Sequence, residues 1–214
     1  MNNRFLRSTT EWGPSYWYVL HTSSFSYPLH PTSTHKKNTI DFLNLLPSLL
    51  PCPNCQNHAR DFIQKSNLQS AVQSREKLIE FYVTFHNAVN SRLNKPQVSL
   101  EQAKNMYHHL HPSWGPPYWF FFHMTALTYK ESPTTNERIK MQSFLEMCYI
   151  LLPTWSAQQV TSNYMKAKYE QLVWACLNKS NLFFFWYTFH NYINQTLGRS
   201  ELSFERVKDM YRIN

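Results

Sequence analysis

The sequence predicts an all-α protein built from two tandem copies of one helical unit. Three observations carry this. Apolar residues recur mostly at three- and four-residue spacing, with no sustained strand-like alternation. Twelve prolines against three glycines mark turns between short helices. One pattern also appears twice: Trp12-Gly13-Pro14-Ser15-Tyr16-Trp17, with His21 four residues on, returns as Trp114-Gly115-Pro116-Pro117-Tyr118-Trp119 with His123. These pairs stand 102 residues apart, and the same offset carries Tyr27 onto Tyr129, Phe42 onto Phe144 and Leu49-Leu50-Pro51 onto Leu151-Leu152-Pro153. After a two-residue insertion the offset becomes 104: Phe85-His86-Asn87 and Asn90 match Phe189-His190-Asn191 and Asn194, and Lys104, Met106 and Tyr107 match Lys208, Met210 and Tyr211. The division falls near His111 to Ser113, giving units 1–110 and 111–214.

Each unit reads as four helices and a short fifth. In the first unit they are expected near 14–26, 36–50, 53–66, 75–93 and 99–108, with prolines in the loops supporting the divisions. Pro47 should kink the second helix near its end or sit in an irregular final turn. Pro53 suits the first turn of the third helix, where a missing N–H costs nothing. In the second unit, Thr134 followed three residues later by Glu137 has the form of a capping box.

Composition excludes several classes. Lys and Arg total 21 against 13 Asp and Glu, a net charge of +8, yet the basic residues are scattered rather than clustered, so no nucleic-acid partner is expected. Met1 to Thr10 lacks the apolar stretch of a secretory signal, and no run approaches the roughly 18–20 apolar residues of a membrane span. The expectation is a soluble, intracellular protein. Four cysteines in such a chain do not form a disulfide framework.

The chemistry concentrates in Pro51-Cys52-Pro53-Asn54-Cys55, at a loop-to-helix junction. At a helix N-terminus, unpaired N–H groups and the helix dipole favour thiolate over thiol, and a two-residue spacer lets both sulfurs meet on one turn. His58 follows on the same face. Three readings compete. A thioredoxin-like oxidoreductase needs a βαβ context that a helical sequence lacks. A structural zinc site needs four ligands, and Cys52, Cys55 and His58 supply three at most, so no metal is expected. The third reading uses the other marked residues, which occur in a fixed order: Gly13-x-x-x-Trp17-x-x-x-His21-Thr22, Tyr27-Pro28-x-x-Pro31-Thr32, Leu50-Pro51-Cys52-x-x-Cys55-x-x-His58, and His86-Asn87-x-Val89-Asn90-x-x-Leu93-x-Lys95-Pro96.

Together, over about residues 12 to 97, these resemble the Erv/ALR family of FAD-linked sulfhydryl oxidases. The resemblance implies a four-helix bundle holding FAD in its mouth, and disulfide formation in protein dithiol substrates with dioxygen reduced to hydrogen peroxide. It implies that Cys55 is the flavin-proximal sulfur and that Cys52 exchanges with substrate. Trp17 and His21 would line the flavin ring with Tyr27 and His58 nearby, and Gly13 would be among the cofactor-binding residues. His86, Asn87 and Asn90 would hold the adenosine part, and Lys95 the pyrophosphate. The family often has Gly-Arg at Gly13-Pro14, Trp at Phe81, Tyr at Leu50 and His at Thr84; Trp-Gly-Pro openings and Leu-Pro-Cys are more similar to virally encoded members.

The units differ at the chemistry. Cys52, Cys55 and His58 become Thr154, Ala157 and Val160, so the second unit is expected to be a degenerate scaffold. Single-copy relatives pair as dimers, which predicts an intramolecular pseudo-dimer, with further homodimerisation open. Cys148 and Cys176 form no C-x-x-C; Cys148 lies in an apolar helix, where an inert buried thiol and no shuttle disulfide are expected. The non-enzymatic alternative is a helical scaffold module with vestigial cysteines. The run Phe183-Phe184-Phe185-Trp186 reads as core.

Overall fold

The computed structural model describes residues 8–212, so most of the amino-terminal segment read above lies outside the described residues. Twelve α-helices and one 3-10 turn account for the regular structure, and no strand occurs among the described residues. The first unit comprises α1 (Thr9–Ser26), α2 (Ser33–Leu49), α3 (Pro53–Lys65), α4 (Leu68–Ala71), α5 (Arg75–Arg92) and α6 (Leu100–Tyr107). The second repeats the order as α7 (Gly115–Thr128), α8 (Thr135–Met147), a 3-10 turn (Cys148–Leu151), α9 (Trp155–Ala167), α10 (Tyr169–Ala175), α11 (Lys179–Thr196) and α12 (Phe204–Tyr211).

Two expectations about elements need correction. Helix α1 begins at Thr9, well before residue 14, because the Ser8 hydroxyl accepts from the Thr10 N–H and opens the helix early, leaving Pro14 inside it. The short α4 was not anticipated; the Asn67 side chain caps it by accepting from the Ser70 N–H at 3.0 Å, and α10 is its counterpart. The Thr134–Glu137 capping box forms in both directions. Pro47 sits in the closing turn of α2, where Leu50 N–H reaches back to the Pro47 carbonyl. In the second unit the same place tightens into the 3-10 turn, with Leu152 N–H on the Tyr149 carbonyl.

The duplication extends to buried hydrogen bonds. Tyr16 donates to the Leu49 carbonyl at 3.0 Å, and Tyr118 to that of Leu151 at 2.8 Å. Tyr27 donates to Val72 and Tyr129 to Cys176, each to a backbone oxygen. Asn87 clamps both backbone groups of Val98, as Asn191 clamps those of Leu202, fixing the loop before each last helix. A phenol or amide buried without such a partner would cost about 1–3 kcal/mol, which makes these bonds determinants of the bundle rather than accessories.

One apolar core runs through both units, with Tyr16, Leu20, Phe42 and Tyr82 in the first and Phe122, Phe144, Trp186 and Phe189 in the second. Phe122 stacks on Trp186 at 4.6 Å, while Phe184 remains exposed, so the aromatic run of α11 is core only in part. The units meet where α1 packs on α7. Tyr16 meets Phe121 edge to face at 4.7 Å, Thr22 Oγ1 lies 2.8 Å from Tyr118 Oη, and Ser26 donates to the Leu152 carbonyl. No described helix is long and apolar enough to cross a membrane.

Candidate active site

The first unit holds a cleft of about 730 Å³ bounded by α1, the α2–α3 turn, α5 and the chain after α5. That is the size range of pockets for drug- and cofactor-sized molecules. The cysteine pair forms one wall. Cys52 is the N-cap of α3, with Pro53 in its first turn, and its Sγ accepts from the Cys55 N–H at 3.3 Å. Gln56 secures the turn by donating to the Leu50 carbonyl at 2.8 Å. Burial first, then the hydrogen bond and charge of Cys52, push the Cys55 thiol up to about 12, while Arg92 pulls it down.

The opposite wall is aromatic. Trp17 from α1 and His86 from α5 lie parallel, 3.9 Å apart at 5°. His86 Nδ1 is 3.0 Å from His21 Nε2, and His21 in turn stacks on Tyr107 from α6 at 4.6 Å. Burial, with His86 second, depresses His21 to about 3; burial, with Lys95 second, depresses His86 to about 4. Both imidazoles are therefore neutral near pH 7, so the facing nitrogens form a hydrogen bond rather than a repulsive cation pair. His21 Nδ1 is buried without a hydrogen-bond partner.

Of the residues singled out from the sequence, Gly13, Trp17, Cys52, Cys55, His58, His86, Asn90 and Lys95 line this cleft. At Gly13 the wall stands away from its neighbours, since an added Cβ would meet nothing within 4 Å. His21 stands behind His86 and lines only a small adjoining pocket. Tyr27 is spent on Val72 and accepts from Arg75 through its own carbonyl, and the Asn87 amide is spent on Val98. The polar atoms of both brace the bundle, and neither residue is among those lining the cleft.

Two residues of the site were not anticipated. Arg92 lines the cleft from the last position of α5 and hydrogen-bonds the His58 ring. Tyr107 completes the His21 stack. The repeat carried a signal for each. Tyr107 recurs as Tyr211, and Arg92 is replaced by Thr196 just as the cysteines are replaced.

The second unit keeps the aromatic frame without the sulfurs. Trp119 stacks on His190 at 3.9 Å and 12°, His123 Nε2 is 3.4 Å from His190 Nδ1, and Tyr211 lies 4.5 Å from the His123 ring. Burial, then His190, depresses His123 to about 3; burial, then Arg199, depresses His190 to about 4. Cys148 and Cys176 are both buried, each with Sγ on a carbonyl of its own helical segment.

Comparison with known proteins finds similar chains. The family model described as "Erv1 / Alr family" matches residues 14–108 and again residues 116–212. A protein of Invertebrate iridescent virus 3 is 40% identical over 96 residues, covering 45% of this chain and 65% of that protein. An FAD-linked sulfhydryl oxidase of African swine fever virus is 36% identical over 97 residues, covering 45% of this chain and 79% of that protein. Among solved structures, the FAD binding domain of Erv1 from Saccharomyces cerevisiae is similar at 30% identity and a TM-score of 0.45, covering 47% of this chain and 94% of that one.

Proposed function

The chain belongs to the Erv1/Alr family, matched over both its halves, and from that premise we propose that it is an FAD-linked sulfhydryl oxidase of protein dithiols. The catalytic unit is residues 1–110, and residues 111–214 are a degenerate second unit. The observation that carries the reading is the vicinal pair Cys52 and Cys55 facing a stacked Trp17–His86 wall across one cleft.

The residues present fit FAD. A flat apolar wall suits an aromatic ring system, neutral His86 and the amide of Asn90 offer hydrogen bonds, and Lys95 supplies positive charge for phosphates. When bound, FAD accepts two electrons from the reduced cysteine pair and passes them to dioxygen, giving hydrogen peroxide.

The chain's own part is thiol exchange. A substrate thiolate attacks Cys52 Sγ of the oxidised pair, the Cys52–Cys55 bond breaks, and Cys55 leaves as thiolate. A second substrate thiolate attacks the substrate sulfur of the mixed disulfide and releases Cys52. The substrate gains one disulfide and the pair is left with two electrons. Cys52, at the open end of the helix, is the sulfur that exchanges, and Cys55, one turn deeper, is the one that stays in the cleft. The burial that raises the Cys55 pKa favours its protonated form in the reduced pair.

The second unit takes the place of a partner subunit, making the chain an intramolecular pseudo-dimer; the packing of α1 on α7 supports this. Viral relatives support a viral source, and sparse cysteines without framework spacing support an intracellular setting. The test is purification of the chain, measurement of flavin absorbance against protein concentration, and an assay of dithiol-dependent oxygen uptake before and after Cys55→Ala. One flavin per chain, with uptake abolished by the substitution, is expected. Colourless protein, or flavin without uptake, would instead favour a scaffold with vestigial cysteines, and two flavins per chain would overturn the assignment of the second unit.

A further inference from the structure

Among the described residues two cations, Arg92 and Lys95, line the cleft, and the duplication separates them. Lys95 has its counterpart in Arg199, on the same turn: Lys95 N–H donates to the Asn90 carbonyl at 2.9 Å, and Arg199 N–H to that of Asn194 at 2.8 Å. That positive charge has survived together with the Trp17–His86 frame, which recurs as Trp119–His190. Arg92, the last residue of α5, corresponds to Thr196, the last residue of α11. Its charge has been lost together with both sulfurs and His58, whose counterparts are Thr154, Ala157 and Val160. All four positions have lost their charge or reactive group among other changes in α3 and at the end of α5, while Phe85, His86, Asn87 and Asn90 are kept.

The structure gives that set a physical link. His58 stands one helical turn beyond Cys55, and the Arg92 guanidinium hydrogen-bonds its ring across the cleft from α5. We propose that Arg92, steadied on His58, is the positioning residue that supports Cys55 as a thiolate, and so belongs with the dithiol rather than with the cofactor-holding frame. This rests on the reading of Cys52 and Cys55 as the redox pair. In the exchange step the Cys52–Cys55 bond gives its electron pair to Cys55 as Cys52 bonds to substrate, and a thiolate leaves faster the more its charge is stabilised. Other groups facing that corner do not compete for the role. His86 is held neutral, the phenols of Tyr18 and Tyr107 are pushed up by burial, and Lys95 has its equivalent where no sulfur remains. Among the described charged groups outside the pair, Arg92 is the one that lowers the Cys55 pKa.

The experiment uses the full flavin-loaded chain carrying Cys52→Ala, in which Cys55 is the one cysteine not buried. The rate of Cys55 alkylation by iodoacetamide is followed against pH, with flavin retention measured in parallel. Arg92→Met should raise the alkylation midpoint by about one unit or more, the scale for removing a nearby opposite charge. Arg92→Lys should restore most of the shift, and added salt should move the parent towards the Met variant. Arg92 is exposed, so neither substitution threatens the fold. An unchanged midpoint in Arg92→Met overturns the proposal: with weakened flavin retention it assigns Arg92 to the cofactor's phosphates, and with intact retention it makes Arg92 an ordinary surface residue. A midpoint that shifts, in a chain whose native form shows no dithiol-dependent oxygen uptake, leaves this electrostatic pairing standing and removes the oxidase reading.

Discussion

The turn that opens α3 and the turn that opens α9 carry the same hydrogen bonds and different chemistry. In one, Cys52 Sγ accepts from the Cys55 N–H at 3.3 Å; in the other, Thr154 Oγ1 accepts from the Ala157 N–H at 3.2 Å. Gln56 and Gln158 each donate to the preceding leucine carbonyl at 2.8 Å. The cap is therefore a structural requirement that a hydroxyl meets at least as well as a sulfur, since threonine is a favoured N-cap. Sulfur at the first corner is not there for folding. The contrast separates what the bundle needs, which both corners have, from what the reaction needs, which only one has.

The sharpest way to break this comparison is to turn the first corner into the second. Cys52→Thr should reduce dithiol-dependent oxygen uptake by about 1000-fold or more, the scale of losing a covalent nucleophile, while the melting temperature holds or rises. A variant that loses activity and also melts early would show that the sulfur has a structural share after all.

Next in size come the cores. Phe122→Ala removes a ring stacked on Trp186 and should cost about 3–5 kcal/mol, against about 2–5 kcal/mol for Leu20→Ala at the matching position of α1. Chemical denaturation should show one transition for both variants, because one core joins the units; two transitions would separate them.

The buried histidines give a pH test. His21 and His123 are held near 3, and His86 and His190 near 4, chiefly by burial, against about 6.5 in an unfolded chain. The unfolded state then binds protons that the folded state refuses, so stability is complete above about pH 6.5 and falls as pH drops towards 4. Melting curves at pH 7 and pH 5 should differ by several degrees. Replacing His123 by a residue that does not titrate should flatten the fall as much as replacing His21, if the two frames are equivalent.

The smallest effect lies between the units. Tyr118→Phe abandons the Leu151 carbonyl and the neighbouring Thr22 hydroxyl together, whereas Tyr16→Phe abandons the Leu49 carbonyl alone. Costs of about 1–2 and about 1 kcal/mol are expected from urea midpoints.

Much of this was legible in the sequence because duplication exposes what each position is for. Helices α3, α5 and α6 fell within a residue or so of their expected bounds, since proline and polar caps sit at their ends. What escaped was written in weaker code. The box that opens α2 uses His35, whose ring nitrogen takes the Thr32 N–H at 3.2 Å, where a glutamate or glutamine is the usual signal. Helix α4 spans four residues, too few to show periodicity. Motif order cannot reveal which way a polar group points: the Tyr27 phenol faces a backbone oxygen, and the Asn87 amide faces a backbone oxygen and N–H, of its own bundle. A lone arginine at a helix end has an ordinary explanation, and the contact of Arg92 with His58 appears only in the fold.

Helix α1 has no idle side. Trp17 looks into the cleft, while Tyr16 and Thr22, on neighbouring turns, lie against α7. Whatever grips the first face stiffens the second, so ligand and neighbour share one lever arm. A duplicate that surrendered its reactivity could thus stay indispensable, as the wall against which the working copy braces.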